Sequence, residues 1–512
     1  MLNFQNIFDI VRLRIAEIPR AWVFGFLLVW TLAVRLPFAH VLADDEAFFS
    51  VVANRWLHGE LPYVSSYDIK APGIFALFAL VQSVFGSGLA QIKGLEIIFV
   101  IWGAYSLYRL VTLYGSPQAG LCIALLYPLY SLFQAGVSFP CQIVQMALTI
   151  QAFSWALQAE STSDRRAVVL TVLSGLVIGC AVMIKQTAAF EGLALYGWLA
   201  WRNYHRRNFW STLSFCAVAV LPTLGFGIYF AMCGHLKEAF DGVVMSAFQR
   251  SQIDMTIKPD TLHLGVFFRL TSYPALVKPI LIATAGALLA VLRWRRLKSS
   301  FGPDLLVLSL LWYVAASAGI LIVKSPALYC GFPLMAPTLI LFCLVLNNGI
   351  DFAPKWRVTG IICYLVVASL HPFYVERDDL FSNGYKGIPD YTANILAARS
   401  LQSAGIQPGD NLLVLSRGHY AYLFTQTLPK AKYFNAMHLL CDFPTPDKDP
   451  LGMAFDSRPQ YILMSDTNSM ISCYRQDRLD FLTEKLGQDY VRVSSVHGTW
   501  DSFGIYGRRI DH

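Results

Sequence analysis

The chain has 512 residues, of which 55% are hydrophobic and only 14% are charged, whereas soluble proteins carry about 25% charged residues. Its mean hydropathy of +0.49 excludes an ordinary soluble domain and predicts a chain surrounded largely by lipid. The net charge of +7 would suggest nucleic-acid binding in a soluble protein. Here the basic residues stand in short links between apolar segments, where they are topology signals.

Apolar segments that approach the length of a membrane span recur along the first 375 residues. A span needs about 20 residues, and it is expected to be helical because lipid offers no partner to an open backbone amide. The segments lie at about 21–40, 73–90, 92–113, 117–134, 139–158, 167–184, 187–201, 209–232, 276–292, 304–323, 331–347 and 358–375. Residues 1–375 are therefore predicted to form an all-α polytopic membrane domain of about 11–13 transmembrane helices.

Clusters of Lys and Arg predict the orientation of these segments. By the positive-inside rule the cytoplasmic links are Arg165-Arg166, Arg202–Arg207, Arg293–Lys298 and Lys355–Arg357. The N-terminus is expected inside, ahead of an uncleaved anchor. The loops 43–72 and 234–274 and the tail from Glu376 then face outside. Twelve spans that start from an internal N-terminus would leave that tail inside, which conflicts with the basic clusters. One of the apolar segments between 73 and 134 is therefore expected not to cross the membrane.

From about Glu376 the composition becomes that of a soluble domain, and residues 376–512 are predicted to form a small extracytoplasmic α/β domain. The predicted strands are Asn411–Ser416, Tyr461–Ser465 and Tyr490–Ser494, and the predicted helices are Tyr391–Ala404 and Gln476–Leu486. The ten cysteines show no metal-binding spacing. Cys441 and Cys473, the cysteines of the tail, either pair in an oxidising compartment or are small buried residues. No metal and no cofactor are predicted, and the dependence on a divalent cation stays open.

The first external loop begins with three consecutive acids, Asp44-Asp45-Glu46. They precede an amphipathic segment, Ala47–His58, which is expected to lie as a helix on the bilayer surface. An acid at such a place commonly caps a helix, but three exceed what a cap requires. A carboxylate that is shielded from water on one side accepts a proton more readily, which suits a general base.

Three basic residues are candidates for holding an anion. Lys70 stands where the chain returns to the membrane, Lys185 interrupts an apolar run, and Arg35 lies near the outer end of the first span. A lone Lys or Arg at the interface usually snorkels to lipid headgroups. A charge within a span is costly and often functional, and a cation beside the acids would suit a phosphate leaving group.

The loop as a whole, DDEAFF…GELPY…YDIKAPG, resembles the first external loop of the GT-C superfamily of membrane glycosyltransferases. The resemblance is strongest to bacterial relatives of protein O-mannosyltransferases and of the aminoarabinose transferase of lipid A. It is close over about 35 residues and loose over the polytopic chain with its outer C-terminal domain. The sequence departs from the pattern by Asp44 ahead of the acidic pair and by Ala71 where a proline is common.

This resemblance implies roles for the loop residues. Asp45 is expected to be the base and Glu46 a catalytic neighbour that orients Asp45 or the acceptor. Lys70 is expected to hold the donor phosphate. The remaining substrate-binding candidates that the resemblance and the positions suggest are Asp44, Tyr63, Lys185 and Arg35.

The function implied is that of an inverting glycosyltransferase in the cell (inner) membrane, with its active site outside. Its expected partners are a polyprenyl-phosphate-linked sugar, membrane lipids and an acceptor hydroxyl on a glycan, lipid or protein, and no nucleic acid. A secondary transporter or lipid-linked saccharide translocase is the main alternative, although transporters more often show related halves and do not need an outer soluble tail. A non-catalytic lipid-binding scaffold is the third hypothesis.

Overall fold

The computed structural model describes residues 19–41, 44–114, 117–132, 137–162, 165–205, 209–252, 303–322, 328–344, 391–416, 418–465, 474–497 and 502–509. The predicted spans at 276–292 and 358–375 and the basic clusters Arg293–Lys298 and Lys355–Arg357 lie outside these residues. So does the part of the predicted loop 234–274 that follows Gln252.

Up to residue 344 the described chain is helical. In chain order its helices are α1 (Arg20–Arg35), α2 (Asp44–Leu57), α3 (Pro72–Phe85), α4 (Leu89–Tyr114), α5 (Pro117–Tyr130), α6 (Cys141–Glu160), α7 (Arg165–Ile184), α8 (Ala188–His205), α9 (Phe209–Met232), α10 (Leu236–Phe240), α11 (Ala247–Gln252), α12 (Pro303–Leu321) and α13 (Met335–Leu344). A π-helical turn, Asp241–Ser246, joins α10 to α11.

Several of these helices can cross a bilayer. Within the described residues, the segments that are long and apolar enough are Arg20–Phe38, Leu89–Leu113, Arg165–Ile184, Phe209–Met232 and Asp304–Leu321. Pro72–Phe85 and Cys330–Leu341 are apolar but shorter than a typical span. These helices confirm a multi-pass membrane protein.

The C-terminal part alternates helices and strands. Its elements are α14 (Tyr391–Ser403), β1 (Leu412–Leu415), α15 (Tyr420–Thr425), α16 (Ala436–Leu440), α17 (Pro450–Asp456), β2 (Tyr461–Ser465), α18 (Gln476–Asp489), β3 (Tyr490–His497) and β4 (Ser502–Arg508). The predicted strands and helices are thus confirmed, apart from small differences at their ends.

One strand, β4, was not predicted from the sequence. It lies in the middle of a mixed sheet with the order β1-β2-β4-β3, in which β1 and β2 are parallel and β4 is antiparallel to both neighbours. Two glycines, Gly504 and Gly507, dilute its apolar pattern, and glycine is unfavourable within a strand. Its place in the sheet follows from pairing with β2 and β3.

By internal contacts the described chain divides into two compact units. The first unit takes Met1–Pro37, Leu95–Gly225 and Thr261–Val375, and the second takes Phe38–Gly94, Phe226–Asp260 and Glu376–His512. The second unit therefore gathers the first loop, the described start of the loop 234–274 and the C-terminal tail.

In the first unit, helices approach closely where small residues face a neighbouring backbone. A Cβ added at Gly175 of α7 would lie 2.4 Å from the carbonyl oxygen of Phe215 in α9, and one at Gly179 would lie 2.2 Å from that of Ala219. Pairs of small residues four positions apart allow such contacts between membrane helices. On another side, Val23 and Leu27 of α1 pack with Tyr108 and Ala124.

In the second unit, α2 is covered by protein. Residues Glu46 to Ala53 are all buried, and Phe49 packs edge-on against Phe75 and Phe78 of α3. The amphipathic pattern of α2 predicted a helix on the bilayer surface. Its apolar face instead packs within the unit, because α3 and α15 both lie against it.

Candidate active site

The acidic start of α2 directs three adjacent carboxylates to three different partners. Helical residues turn by about 100° per position, so the side chains of Asp44, Asp45 and Glu46 point in different directions. Asp44 contacts His419, Asp45 faces Lys70, and Glu46 points into the protein. Acids in the first turn also suit the positive end of the helix dipole.

Asp45 combines a paired oxygen with one that has no partner. Its Oδ1 lies 3.7 Å from Nζ of Lys70, and the side chain is 28% exposed. Its Oδ2 is buried and accepts no hydrogen bond from the described residues. A buried carboxylate oxygen normally finds a donor, so Oδ2 is suited to accept one from a bound hydroxyl.

Glu46 is held in the interior. Its side chain is 0% exposed, the hydroxyl of Tyr420 donates to Oε1 at 2.5 Å, and Nζ of Lys93 lies 3.2 Å from the same oxygen. An acceptor molecule would not reach a carboxylate that is enclosed in this way. The arrangement suits Glu46 to fix the start of α2 and thereby to orient Asp45.

The ammonium group of Lys70 lies close to two carboxyl groups and one aromatic ring. Besides Asp45, its Nζ is 3.6 Å from Oδ2 of Asp68 and 4.8 Å from the ring centre of Phe49. Burial raises the pKa of Asp68 above its ordinary value, although the charge of Lys70 opposes this shift.

Tyr63 supports the backbone of Lys70. Its hydroxyl donates to the carbonyl oxygen of Lys70 at 2.7 Å, and its φ of 69° is in the left-handed region, where a bulky residue is rare. A Cβ added at Gly242, in the π-helical turn, would lie 2.6 Å from the Tyr63 ring and 3.1 Å from the carbonyl oxygen of Asp68. The predicted substrate ligand therefore has its hydroxyl occupied within the loop, and Gly242 is required for this packing.

The C-terminal tail supplies contacts to the loop that the sequence did not reveal. Besides His419 and Tyr420, the carbonyl oxygen of Lys432 accepts a hydrogen bond from the amide of Tyr67 at 2.9 Å. The guanidinium of Arg55 donates to the carbonyl oxygen of Ala431 at 2.8 Å. The segment Ala431–Lys432 of the tail therefore contacts the first loop within the second unit.

Two predicted anion ligands belong to the first unit. Arg35 is buried, with NH1 at 2.5 Å from Oε1 of Glu96 and NH2 at 2.5 Å from the hydroxyl of Ser131. Lys185 is half-buried, 3.7 Å from Sγ of Cys330. It lines a cavity of about 20 Å³ together with Glu191, which is large enough for a water molecule. Both cations therefore have partners within their own unit.

No group of three or more His, Cys, Asp or Glu residues that could hold a metal occurs among the residues that the structure describes. In the tail, Cys441 is disulfide-bonded. Cys473, which the sequence offered as a possible partner of Cys441, lies outside the described residues. The next residue, Tyr474, forms an antiparallel bridge with Cys441.

Comparison with known proteins gives one family match. Residues 69–227 match the model of the family described as dolichyl-phosphate-mannose-protein mannosyltransferase. The match includes Lys70 and Lys185 and begins after the three acids of α2. No curated protein matches the chain significantly.

Solved structures share the fold over nearly the whole chain. The crystal structure of ArnT from Cupriavidus metallidurans in the apo state is 12% identical, with a TM-score of 0.61, and the alignment covers 94% of this chain and 98% of ArnT. The archaeal oligosaccharyltransferase AglB from Archaeoglobus fulgidus, in complex with an inhibitory peptide and a dolichol-phosphate, is 13% identical, with a TM-score of 0.54. That alignment covers 96% of this chain and 74% of AglB. The chain thus has the GT-C fold of membrane glycosyltransferases, and the resemblance found in the sequence is confirmed.

Proposed function

We propose that the chain is an inverting membrane glycosyltransferase that moves a sugar from a polyprenyl phosphate to a hydroxyl group of a glycan, lipid or protein. The observation that carries this proposal is the geometry of Asp45, which has one oxygen beside Lys70 and one buried oxygen open to a donor. The family match and the fold support a glycosyltransferase. The dolichol-phosphate bound by AglB supports a lipid phosphate as the leaving group.

In the proposed reaction, the acceptor hydroxyl donates its hydrogen bond to Oδ2 of Asp45. The O–H bond breaks and its proton passes to the carboxylate, while the acceptor oxygen forms a bond to the anomeric carbon. The bond between that carbon and the phosphate oxygen breaks, and its electron pair leaves with polyprenyl phosphate. Attack opposite the leaving group inverts the anomeric configuration.

The charges of the groups around Asp45 suit the changes of charge that occur during this reaction. The leaving phosphate gains negative charge as its bond to the sugar breaks, and a preorganised cation stabilises such charge. Lys70 is the cation nearest to Asp45 in the described chain. As Asp45 takes up the acceptor proton, its own charge falls and Lys70 becomes more available to the phosphate.

The external face is the proposed side of the reaction. The first loop and the tail belong to one compact unit, which supports their lying on the same side of the membrane. The basic clusters predict that this side is the outside. Reporter fusions at Ser300 and Asp379 test this orientation. We expect a cytoplasmic signal at Ser300 and an external one at Asp379, and a cytoplasmic signal at Asp379 would contradict the proposal.

A strain that lacks the gene provides the test of function. We expect mass spectrometry to find one lipid-linked sugar accumulating and the corresponding sugar missing from a cell-envelope glycan, lipid or protein. The wild-type gene should restore the product. Asp45→Asn, expressed to the same level, should not, because loss of a general base lowers the rate by about 10²–10⁴-fold.

Asp480→Asn is the matched control, since it removes an acid on the tail helix α18 whose contact is an exposed glutamine, Gln476. It should restore the product as the wild type does. If Asp45→Asn at matched expression restores the product fully, Asp45 is not the general base. A substrate that accumulates on one side of the membrane, with no missing glycan, would favour a transporter instead.

A further inference from the structure

His419 has hydrogen-bond acceptors at both ring nitrogens. Its Nδ1 contacts Oδ1 of Asp44, and its Nε2 lies 3.0 Å from the carbonyl oxygen of Phe434. A carbonyl oxygen can only accept, so Nε2 carries a hydrogen. A carboxylate in its ionised form also only accepts, so Nδ1 carries one as well. The geometry therefore fits an imidazolium cation paired with the Asp44 carboxylate.

The surroundings of His419 are consistent with this charge state. The ring is fully buried and is enclosed by Phe48, Tyr422 and Phe434. Burial disfavours the charged form, but the charge of Asp44 and the hydrogen bonds outweigh it, so the pKa of His419 lies above its ordinary value. The charge of Asp45 also raises the pKa of His419. The charge of His419 in turn lowers the pKa of His438 in α16.

Asp44 receives two donors from the same residue. In addition to the ring, the backbone amide of His419 lies 3.3 Å from Oδ1 of Asp44. The Asp44 side chain is only 20% exposed, and Asp45 is the next residue on α2. The contact therefore fixes the position of the first helical turn, from which Asp45 reaches Lys70.

We propose that His419 is a positioning residue, which as an imidazolium holds Asp44 and thereby sets the position of Asp45 relative to Lys70. This inference rests on the proposed function of Asp45. It assigns to the C-terminal tail a part in aligning the base, although the tail residue itself touches no reacting atom. A misplacement of about 1 Å at a reacting group can lower the rate by about 10²-fold.

Two substitutions of His419 separate the effects of its two ring hydrogen bonds, one to Asp44 and one to Phe434. Asn has its amide nitrogen near the place of Nδ1, so His419→Asn can keep the bond to Asp44 and lose the bond to Phe434. Gln reaches further, so His419→Gln can keep the bond to Phe434 and lose the bond to Asp44. We expect His419→Asn to retain kcat within about tenfold and His419→Gln to lose about 10²-fold, with the KM for the donor unchanged in both.

The assay uses the purified full chain in vesicles, with the lipid-linked sugar that accumulates in the deletion strain as donor. Thr425→Val is the matched control, because it removes a buried hydroxyl from the same helix as Tyr422 without touching the ring contacts of His419. It should lower the melting temperature and leave kcat within twofold. Equal kcat values for His419→Gln, His419→Asn and the wild type would overturn the inference while the proposed function stands.

Asp44→Asn keeps the test decisive if both His419 variants fold poorly. It removes the carboxylate that stabilises the imidazolium, so the decline of kcat at high pH should move to lower pH than in the wild type. If kcat declines at the same high pH in Asp44→Asn as in the wild type, the inference is contradicted.

The melting temperatures of Asp44→Asn, His419→Asn and the double variant give a readout that needs no activity. The losses should be less than additive if the two side chains are in contact, and strict additivity would overturn the inference even if the chain transferred no sugar.

Discussion

The ammonium of Lys70 lies between two carboxylates, 3.7 Å from Asp45 and 3.6 Å from Asp68. These two acids differ in environment, because Asp68 is almost fully buried whereas Asp45 is partly exposed. The positive charge of Lys70 can therefore compensate the buried acid Asp68 and still contact an anionic ligand that binds beside Asp45. This arrangement makes the charge of Lys70 a direct target for substitution.

Replacement of Lys70 by Ala is expected to lower kcat by about 10²–10³-fold, which is typical of losing one preorganised group that stabilises a developing anion. Lys70→Arg should recover part of the rate, since it restores the charge but not the compact geometry. Kinetics with the purified protein in vesicles measure both. Lys485→Ala, at a partly exposed position of α18 where the ammonium meets, among the described residues, only Asp489 of the same helix, is the control and should not alter kcat. A normal kcat in Lys70→Ala would exclude a role for this cation in the reaction.

Replacement of Gly242 by Ala should disturb the loop without touching a charged group. The added methyl group would meet the Tyr63 ring at 2.6 Å and the Asp68 carbonyl oxygen at 3.1 Å, and overpacking of this kind costs about 1–3 kcal/mol. We expect a lower melting temperature and a lower kcat, because Tyr63 holds the backbone of Lys70. Gly227→Ala is the matched control, since no atom lies within 4 Å of its added Cβ. Equal behaviour of the two variants would show that the Tyr63 packing is unimportant.

The melting temperature should depend on pH through His438. Burial lowers the pKa of His438 from its ordinary 6.5 to about 3, and the charge of Lys70 acts in the same direction. Between these values the unfolded chain binds a proton that the folded chain does not, so stability falls as the pH falls from about 6.5 towards about 3. At pH 5 the loss approaches about 2 kcal/mol, since each pKa unit corresponds to about 1.36 kcal/mol.

His438→Phe tests this dependence. The ring packs between Tyr67 and Phe443, so Phe keeps the packing and removes the titration. Its melting temperature should fall less than that of the wild type between pH 7.5 and pH 5. His497→Phe, on an exposed position of β3, should behave as the wild type. Parallel melting curves for His438→Phe and the wild type would contradict the prediction.

Reduction should destabilise the second unit through Cys441. Peptide mapping of protein purified without reductant should join Cys441 to Cys473, which is one of the two alternatives that the sequence left open for these cysteines. Cys441→Ser should lower the free energy of unfolding by about 2–5 kcal/mol, as is usual for the loss of a native disulfide. Cys233→Ser removes an exposed free thiol and should have no effect. Free thiols at both tail positions in alkylated protein would refute the pairing.

Local patterns were sufficient to predict much of the tail and of the loop. The strand at Tyr461–Ser465 was predicted with its observed bounds, because a short apolar run bounded by polar residues is typical of a buried strand. The helix that begins with the three acids was also predicted, since the helical spacing of its apolar residues is a local feature. The orientation of α2 was not, because its apolar face could pack on either lipid or protein.

By itself the sequence determined a polytopic helical chain, the acidic start of α2 and the place of Lys70 at the next helix, because each depends on residues close together in the chain. Only the tertiary structure decided which partner each acid meets. His419 lies 375 positions from Asp44, and nothing in the segment around it predicts a partner at that distance. Tyr63 and Gly242 likewise become neighbours only through folding. The physical reason is that helix and strand periodicity record which face of an element is buried, whereas the identity of the group that covers this face is set by long-range packing.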